Sequence, residues 1–240
     1  MNARKIEVRV LLVSGDIQTV ATLGHLMERE GMQVEACSHS ASAIRKLGEC
    51  KFEAVVLDFN ERAEALELLK ESRKMTFNKA AVVIALLNDH HEMPSAFRGG
   101  ASFVLVRPLS GMVLMQTLRA SYPLMVREKR RFFRCPLQVP THISTGSRSE
   151  LMTTSANISE RGMAITNSPT LQIGERVVLC LTLPGTTTAA KITAEVRWRD
   201  NAGRAGMEFI LASHQIKEQL SSWLDDRLAE SPFRETVRNG

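Results

Sequence analysis

Residues 121–143 read SYPLMVREKRRFFRCPLQVPTHI, and the periodicity of the chain changes across them. Before this stretch a helical pattern starting near Met112 carries Leu114 and Leu118 on one stripe. After it Leu137, Val139, Thr141 and Ile143 fall on one face at the two-residue period of a strand. Between the two lies a basic octet, Arg127 to Arg134, in which Arg127, Lys129, Arg130, Arg131 and Arg134 outweigh the single acid Glu128. The change in period near Tyr122–Pro123 predicts two domains, residues 1–122 and 123–240. A chain of 240 residues is long enough for both.

Working back from the octet, short apolar runs at Val8–Ser14, Gln33–Ser38, Ala54–Asp58, Ala81–Leu87 and Phe103–Arg107 read as strands apolar on both faces. Such strands belong in a parallel sheet covered by helices on both sides. The segments between them are amphipathic: Ile17–Glu30 places Val20, Leu23, Leu26 and Met27 on one stripe, and Ser40–Gly48 and Glu61–Lys74 follow the same rule. The repeated βα order predicts a doubly wound, flavodoxin-like α/β domain of five strands. Downstream, Met163–Thr166, Val177–Leu183, Ile192–Trp198 and Gly206–Leu211 are short strands separated by Gly- or Pro-bearing turns. They predict a small antiparallel β-barrel, with Trp198 and Phe209 in its core. A helix over Ser213–Ala229, striped with Ile216, Leu220, Trp223, Leu224 and Leu228, is expected to pack on it, and the last ten residues to fray. The fold class is thus α/β followed by all-β.

Composition removes several classes of function. The longest apolar run, Ala80–Leu87, is far short of the roughly 18–20 residues of a membrane-spanning helix. Glu7 and Arg9 interrupt the place where a secretory leader would have its apolar core. Cys37, Cys50, Cys135 and Cys180 contain no Cys-x-x-Cys pair, so they are read as reduced thiols of a cytoplasmic protein without a metal site. His90-His91 has no partners at ligand spacing, and no catalytic triad, phosphate-cradling glycine loop or carboxylate pair stands out. No enzyme and no cofactor is expected. The formal charge is +5, with 16 Lys/Arg against 12 Asp/Glu in residues 121–240 and 15 against 14 before them. The octet alone accounts for the excess of the second half. A cluster this small suits a small anion better than a DNA duplex, which is bound through many phosphates, and no helix-turn-helix fits the strand-rich half.

Residues 6–122 resemble the response-regulator receiver family. Asp58 ends Ala54-Val55-Val56-Leu57-Asp58, where that family keeps its phosphoacceptor. Gly100-Ala101 precedes the fifth strand, and Arg107-Pro108 follows it where the family has Lys-Pro. The departures concern chemistry. Aspartyl phosphorylation uses Mg²⁺, which demands near-octahedral oxygen ligands. The family's acidic pair is here Ser14 and Gly15, with Asp16 one place out of register. Its Thr/Ser after strand four is Leu87, and Arg107 changes the donor geometry of the lysine. The resemblance with these losses implies a degenerate receiver that is not phosphorylated at Asp58 by the usual route. It would instead serve as a docking or dimerisation module.

Residues 125–230 resemble the PilZ family of cyclic di-GMP receptors. The carriers are the Arg-x-x-x-Arg pair in Arg130-Arg131-Phe132-Phe133-Arg134 and the Asn157-Ile158-Ser159-Glu160-Arg161-Gly162 element, which fits Asp/Asn-x-Ser-x-x-Gly. Glu195-Val196-Arg197-Trp198 and Gly206-Met207-Glu208-Phe209 match further positions of the family's barrel. The ligand's chemistry agrees: cyclic di-GMP offers two phosphodiester anions and two guanine O6/N7 edges, each matched by the planar donor fork of arginine. The resemblance implies that Arg130 and Arg134 clamp phosphate and guanine, with Arg131 next. Asn157, Ser159 and Gly162 would form a polar turn meeting the second guanine. Asn in place of Asp removes a charge but keeps an acceptor for guanine N–H groups.

The expected protein is therefore a cyclic di-GMP receptor in which ligand binding orders a mobile basic linker and changes the orientation of the two domains. The alternative is a ligand-independent adaptor built around a non-phosphorylated receiver-like docking domain. An unidentified protein partner and a homodimer through the receiver-like domain complete the expectation.

Overall fold

The computed structural model describes residues 6–145, 148–167 and 171–230. They form two compact units, one ending at Lys129 and one beginning at Arg130. In the first unit β1 (Val8–Val13), α1 (Ile17–Arg29), β2 (Met32–Cys37), α2 (Ser40–Glu49), β3 (Ala54–Asp58), α3 (Arg62–Lys74), β4 (Val82–Leu87), α4 (Met93–Gly99), β5 (Phe103–Val106) and α5 (Gly111–Phe132) alternate. Every strand pairing is parallel, and the order is β2-β1-β3-β4-β5. All six residues of β4 are buried, as a central strand covered on both faces requires. The order reverses between β1 and β3, so the carboxyl ends of those strands form the usual crevice of such sheets. Ser14 and Asp58 lie there.

The expected boundary at residues 122/123 needs correction. Helix α5 carries on through Pro123, which removes one donor toward the carbonyl a turn earlier and crowds that carbonyl with its ring. What draws the helix on is burial of its later turns: Met125, Val126, Glu128 and Lys129 are all buried. Lys51 Nζ donates to Glu128 Oε1 at 2.6 Å and to the Phe77 carbonyl at 2.8 Å, while Lys129 Nζ donates to the Glu7 carbonyl. Tyr122 Oη donates to the Ile6 carbonyl at 2.8 Å. The octet as far as Lys129 is thus built into the first unit, and repulsion among its charges does not hold it as a loose linker.

In the second unit β6 (Cys135–Pro136), β7 (Pro140–Thr145), β8 (Arg148–Ser159), β9 (Gly162–Thr166), β10 (Arg176–Thr182), β11 (Ala189–Arg199) and β12 (Ala205–Leu211) pair antiparallel throughout, and α6 (His214–Glu230) ends the described chain. The order β8-β7-β10-β11-β12-β9 closes on itself through β8–β9, giving a six-stranded barrel among the described residues, with β6 added beside β8. Closure leaves no long free edge. Inward residues such as Ile143, Ile158, Ile165, Leu179 and Val196 fill the barrel. Leu220, Trp223 and Leu224 of α6 join that core, and the Trp223 indole N–H donates to the Pro184 carbonyl at 2.9 Å.

Removing one partner of the buried Lys51–Glu128 pair leaves a charge without its counter-ion. Glu128→Gln is expected to destabilise the first unit by about 3–5 kcal/mol. Lys51→Met with Glu128→Leu is expected to cost far less, since neither charge then remains. Urea unfolding of the three proteins checks the ordering.

Candidate ligand-binding site on the barrel

The site is assembled by two short strand pairings. Cys135 pairs with Ile158 and Pro136 with Asn157, and the Leu137 amide donates to the Ala156 carbonyl at 3.2 Å. This ladder sets the end of the arginine segment directly beside the β8–β9 bend. Phe133 packs against the barrel core, which fixes Arg134 between two anchored neighbours. At the bend the Ser159 hydroxyl donates to the Gly162 carbonyl at 2.9 Å. Gly162 faces Glu208 across β9–β12, and a Cβ there would run into the Met207 carbonyl oxygen. Close backbone approach, not a positive φ, is what demands glycine.

Arg131, Arg134, Asn157, Ser159 and Gly162 line one cleft of about 390 Å³. Three features suit it to an anion with hydrogen-bonding edges. Arg134 is exposed, and neither it nor the neighbouring Arg161 has an acidic partner among the described residues. The Asn157 side-chain oxygen is buried without a hydrogen-bond donor, an acceptor awaiting one. The third feature is Trp198, which was expected in the core but is 44% exposed and lines the cleft above Gly206. The cause is a bulge: Val196 pairs with Met207 but Trp198 pairs with the adjacent Gly206, so the alternation inverts and Val196 points in while Trp198 points out. Phe209 is partly buried against the core. Arg161, Arg197 and Glu208 also line the cleft, and the motifs did not single them out as site residues. Arg197 is already neutralised, donating to Glu208 at 2.7 Å and to Glu195 at 2.5 Å.

Arg130 is the exception among the expected residues, for it does not line this cleft. Its Nε lies 2.6 Å from Asp225 Oδ1, and its Nη1 donates to the Ser221 hydroxyl at 2.7 Å, both on α6. Partial burial pushes the Asp225 carboxyl above the ordinary range of an aspartate, with Arg130 pulling against that shift.

In the first unit Asp58 is enclosed by donors. Arg107 grips it with both terminal nitrogens, Nη1 to Oδ1 at 3.0 Å and Nη2 to Oδ2 at 2.9 Å. The Ser14 hydroxyl donates to Oδ2 at 2.6 Å and the Asn60 amide to Oδ1 at 3.2 Å. Only 4% of the Asp58 side chain is exposed. Asp16 does not turn toward it: it caps α1, accepting from the amides of Gln18 and Thr19 and from the Thr19 hydroxyl, and these bonds hold its carboxyl below the usual range. Among the described residues no group of three His, Cys, Asp or Glu could hold a metal ion, and no helix is long and apolar enough to cross a membrane.

Residues 128–226 match the PilZ domain family. A transcriptional regulatory protein of Haemophilus influenzae, a CpxR homologue, is 28% identical over 113 residues, 47% of this chain and 49% of that protein. The chain therefore spans about half the length of the curated relative it matches. Among solved structures, CheY4 of Vibrio cholerae is similar over 48% of this chain and 98% of its own at 22% identity, with a TM-score of 0.45. The receiver domain of a Pseudomonas aeruginosa sensor histidine kinase, with a magnesium ion in its active-site cleft, is similar over 48% and 96% at 19% identity and 0.42. The Bacillus subtilis inhibitor of motility MotI/DgrA is similar over 42% and 51% at 22% identity and 0.37. Residues 128–226 thus carry a PilZ domain built as a closed antiparallel barrel, and the five-stranded parallel unit that precedes it in the chain has the doubly wound strand order of the flavodoxin-like folds.

Proposed function

We propose that the protein is a cyclic di-GMP receptor whose barrel grips the ligand in the cleft between the arginine segment and the β8–β9 bend. The observation that carries this reading is the convergence on one cleft of Arg131 and Arg134 with the unsatisfied Asn157 oxygen. Each arginine fork can take a phosphodiester or a guanine O6/N7 edge. The Asn157 oxygen can accept from guanine N1–H or N2–H. Trp198 offers a flat, accessible face on which a purine can stack. Gly162 keeps the bend narrow, and Ser159 keeps it closed. Arg130 leaves its contacts with Asp225 and Ser221 to join the ligand.

Binding acts at the point where the two units part. Glu128 and Lys129 are held in the first unit, and the next residue, Arg130, is held in the second. A ligand that draws on Arg130 therefore pulls on the last turns of α5 and changes the orientation of the receiver domain. A micromolar ligand would supply roughly 8 kcal/mol toward this. The receiver domain reports that change to a protein partner, or pairs with a second copy, without being phosphorylated. Arg107 and Ser14 already occupy the Asp58 oxygens that a phosphodonor would need.

Titration calorimetry of the full chain is expected to show saturable binding of cyclic di-GMP and none of GTP. Arg134→Ala should weaken it by about 2 kcal/mol, roughly thirtyfold, and Arg130→Ala with Arg134→Ala should abolish it. Undiminished affinity in the double variant would refute the site. The two glycines separate stability from binding. Gly162→Ala, which meets backbone, should destabilise the barrel by about 1–3 kcal/mol in urea. The three atoms nearest a Cβ at Gly206 all belong to the Trp198 ring, so Gly206→Ala should shift that ring and weaken binding about tenfold at little cost in stability. Incubated with Mg²⁺ and a small phosphodonor, the protein is expected to show no phosphoryl adduct by intact mass. An adduct lost in Asp58→Ala would end the non-phosphorylated reading.

A further inference from the structure

Arg130 is the one motif arginine directed away from the cleft, and the residues that hold it belong to no motif. Ser221 and Asp225 lie one turn apart on α6 and meet the same guanidinium, the hydroxyl at Nη1 and the carboxylate at Nε. The arginine side chain is 22% exposed and the aspartate 32%, so the pair is partly desolvated. Asp226 and Glu160 stand close enough to Asp225 to push its carboxyl up, and Arg130 offsets them. The helix does not need this contact to stay in place, because Leu220, Trp223, Leu224 and Leu228 are buried beneath it.

From this geometry we infer that Asp225 and Ser221 are positioning residues that hold Arg130 away from the cleft in the ligand-free protein, so that cyclic di-GMP competes with α6 for that guanidinium. The inference rests on the cyclic di-GMP reading above. A ligand that takes the Nε/Nη1 edge of Arg130 has to displace Asp225 and Ser221 from it, and the side chain has to leave α6 to reach the cleft. Taking Arg130 leaves Asp225 beside Asp226 and Glu160 without their counter-ion. That cost appears as a reduced fraction of binding-competent protein, which raises the apparent dissociation constant by the same factor. An ion pair is exchanged while the helix stays packed. Affinity is thereby set by residues that never touch the ligand.

Calorimetry with the full chain and cyclic di-GMP tests this. Asp225→Asn, and more so Asp225→Asn with Ser221→Ala, should tighten binding by about three- to tenfold. The thermal midpoint should stay level or fall, an opposition of sign that simple damage to the barrel would not produce. Asp225→Glu should restore wild-type affinity. In an Arg130→Ala background the Asp225→Asn change should have no effect, since the residue it acts through is gone. Unchanged or weaker binding by folded Asp225→Asn protein overturns the latch while the receptor reading stands. Equal tightening with and without Arg130 also overturns it, because Asp225 would then act only as a nearby negative charge. Failure of both wild type and Asp225→Asn to bind overturns the receptor reading and the latch with it.

Discussion

The barrel's functional geometry depends on a ladder of two residues. Cys135 and Pro136 pair with Ile158 and Asn157, and through them an arginine segment that precedes the barrel in sequence lies beside a bend more than twenty residues further on. Neither partner could hold the other alone. The segment is rich in like charge, and the bend is a short turn whose side chains are small. Backbone pairing fixes Arg134 relative to Asn157 independently of any ligand, and Phe133 in the core keeps that pairing from fraying. Closure of β8 onto β9 and of β9 onto β12 completes the frame, and Gly162 is the residue that lets those backbones approach.

Both units meet the same problem, a guanidinium beside a carboxylate, and solve it to different degrees. Arg107 binds Asp58 through both nitrogens, Ser14 adds a third contact, and almost none of the carboxylate is exposed. A bidentate, enclosed pair of this kind is costly to open, because each charge would be stranded. Arg130 meets Asp225 at one nitrogen, beside two further acids and with about a third of the aspartate exposed. The first pair fills a site, and the second can be exchanged.

Much of this was legible in the sequence, for identifiable reasons. The five parallel strands were readable because short apolar runs, β4 apolar at every position among them, alternate with amphipathic helical segments, the order of strands buried on both faces. The Arg-x-x-x-Arg and Asn-x-Ser-x-x-Gly elements could be joined because each sits next to a strand with clear alternation. Trp198 was misplaced because strict alternation carried its neighbour Val196 and itself to the same face. A bulge adds a residue that the pattern cannot announce. The boundary was placed early because Pro123 and the octet read as a break. Yet the lost bond and ring crowding of an interior proline, about 3 kcal/mol, are offset by the burial of four later side chains. The partner of Arg130 lay some ninety residues away on a helix with no motif of its own, and nothing local points to it.

The octet's charge is also smaller than it looks. Lys129 is spent on a carbonyl in the first unit, Glu128 on Lys51, and Arg130 on Asp225, before any ligand arrives. The cleft arginines without an acidic partner among the described residues are Arg134 and, from the bend, Arg161, with Arg131 beside them. A site with that few arginines cannot attract anions by field strength alone, which screening reduces within about 8 Å at physiological salt. It has to discriminate through contacts, and its contacts are of three unlike kinds: donor forks, one buried acceptor and one aromatic face. An inorganic phosphate satisfies only the forks, and a guanine mononucleotide meets each kind of contact once. A ligand with two phosphodiesters and two guanines can satisfy all three and still reach Arg130, which is why the composition of the cleft points to selectivity more than to charge.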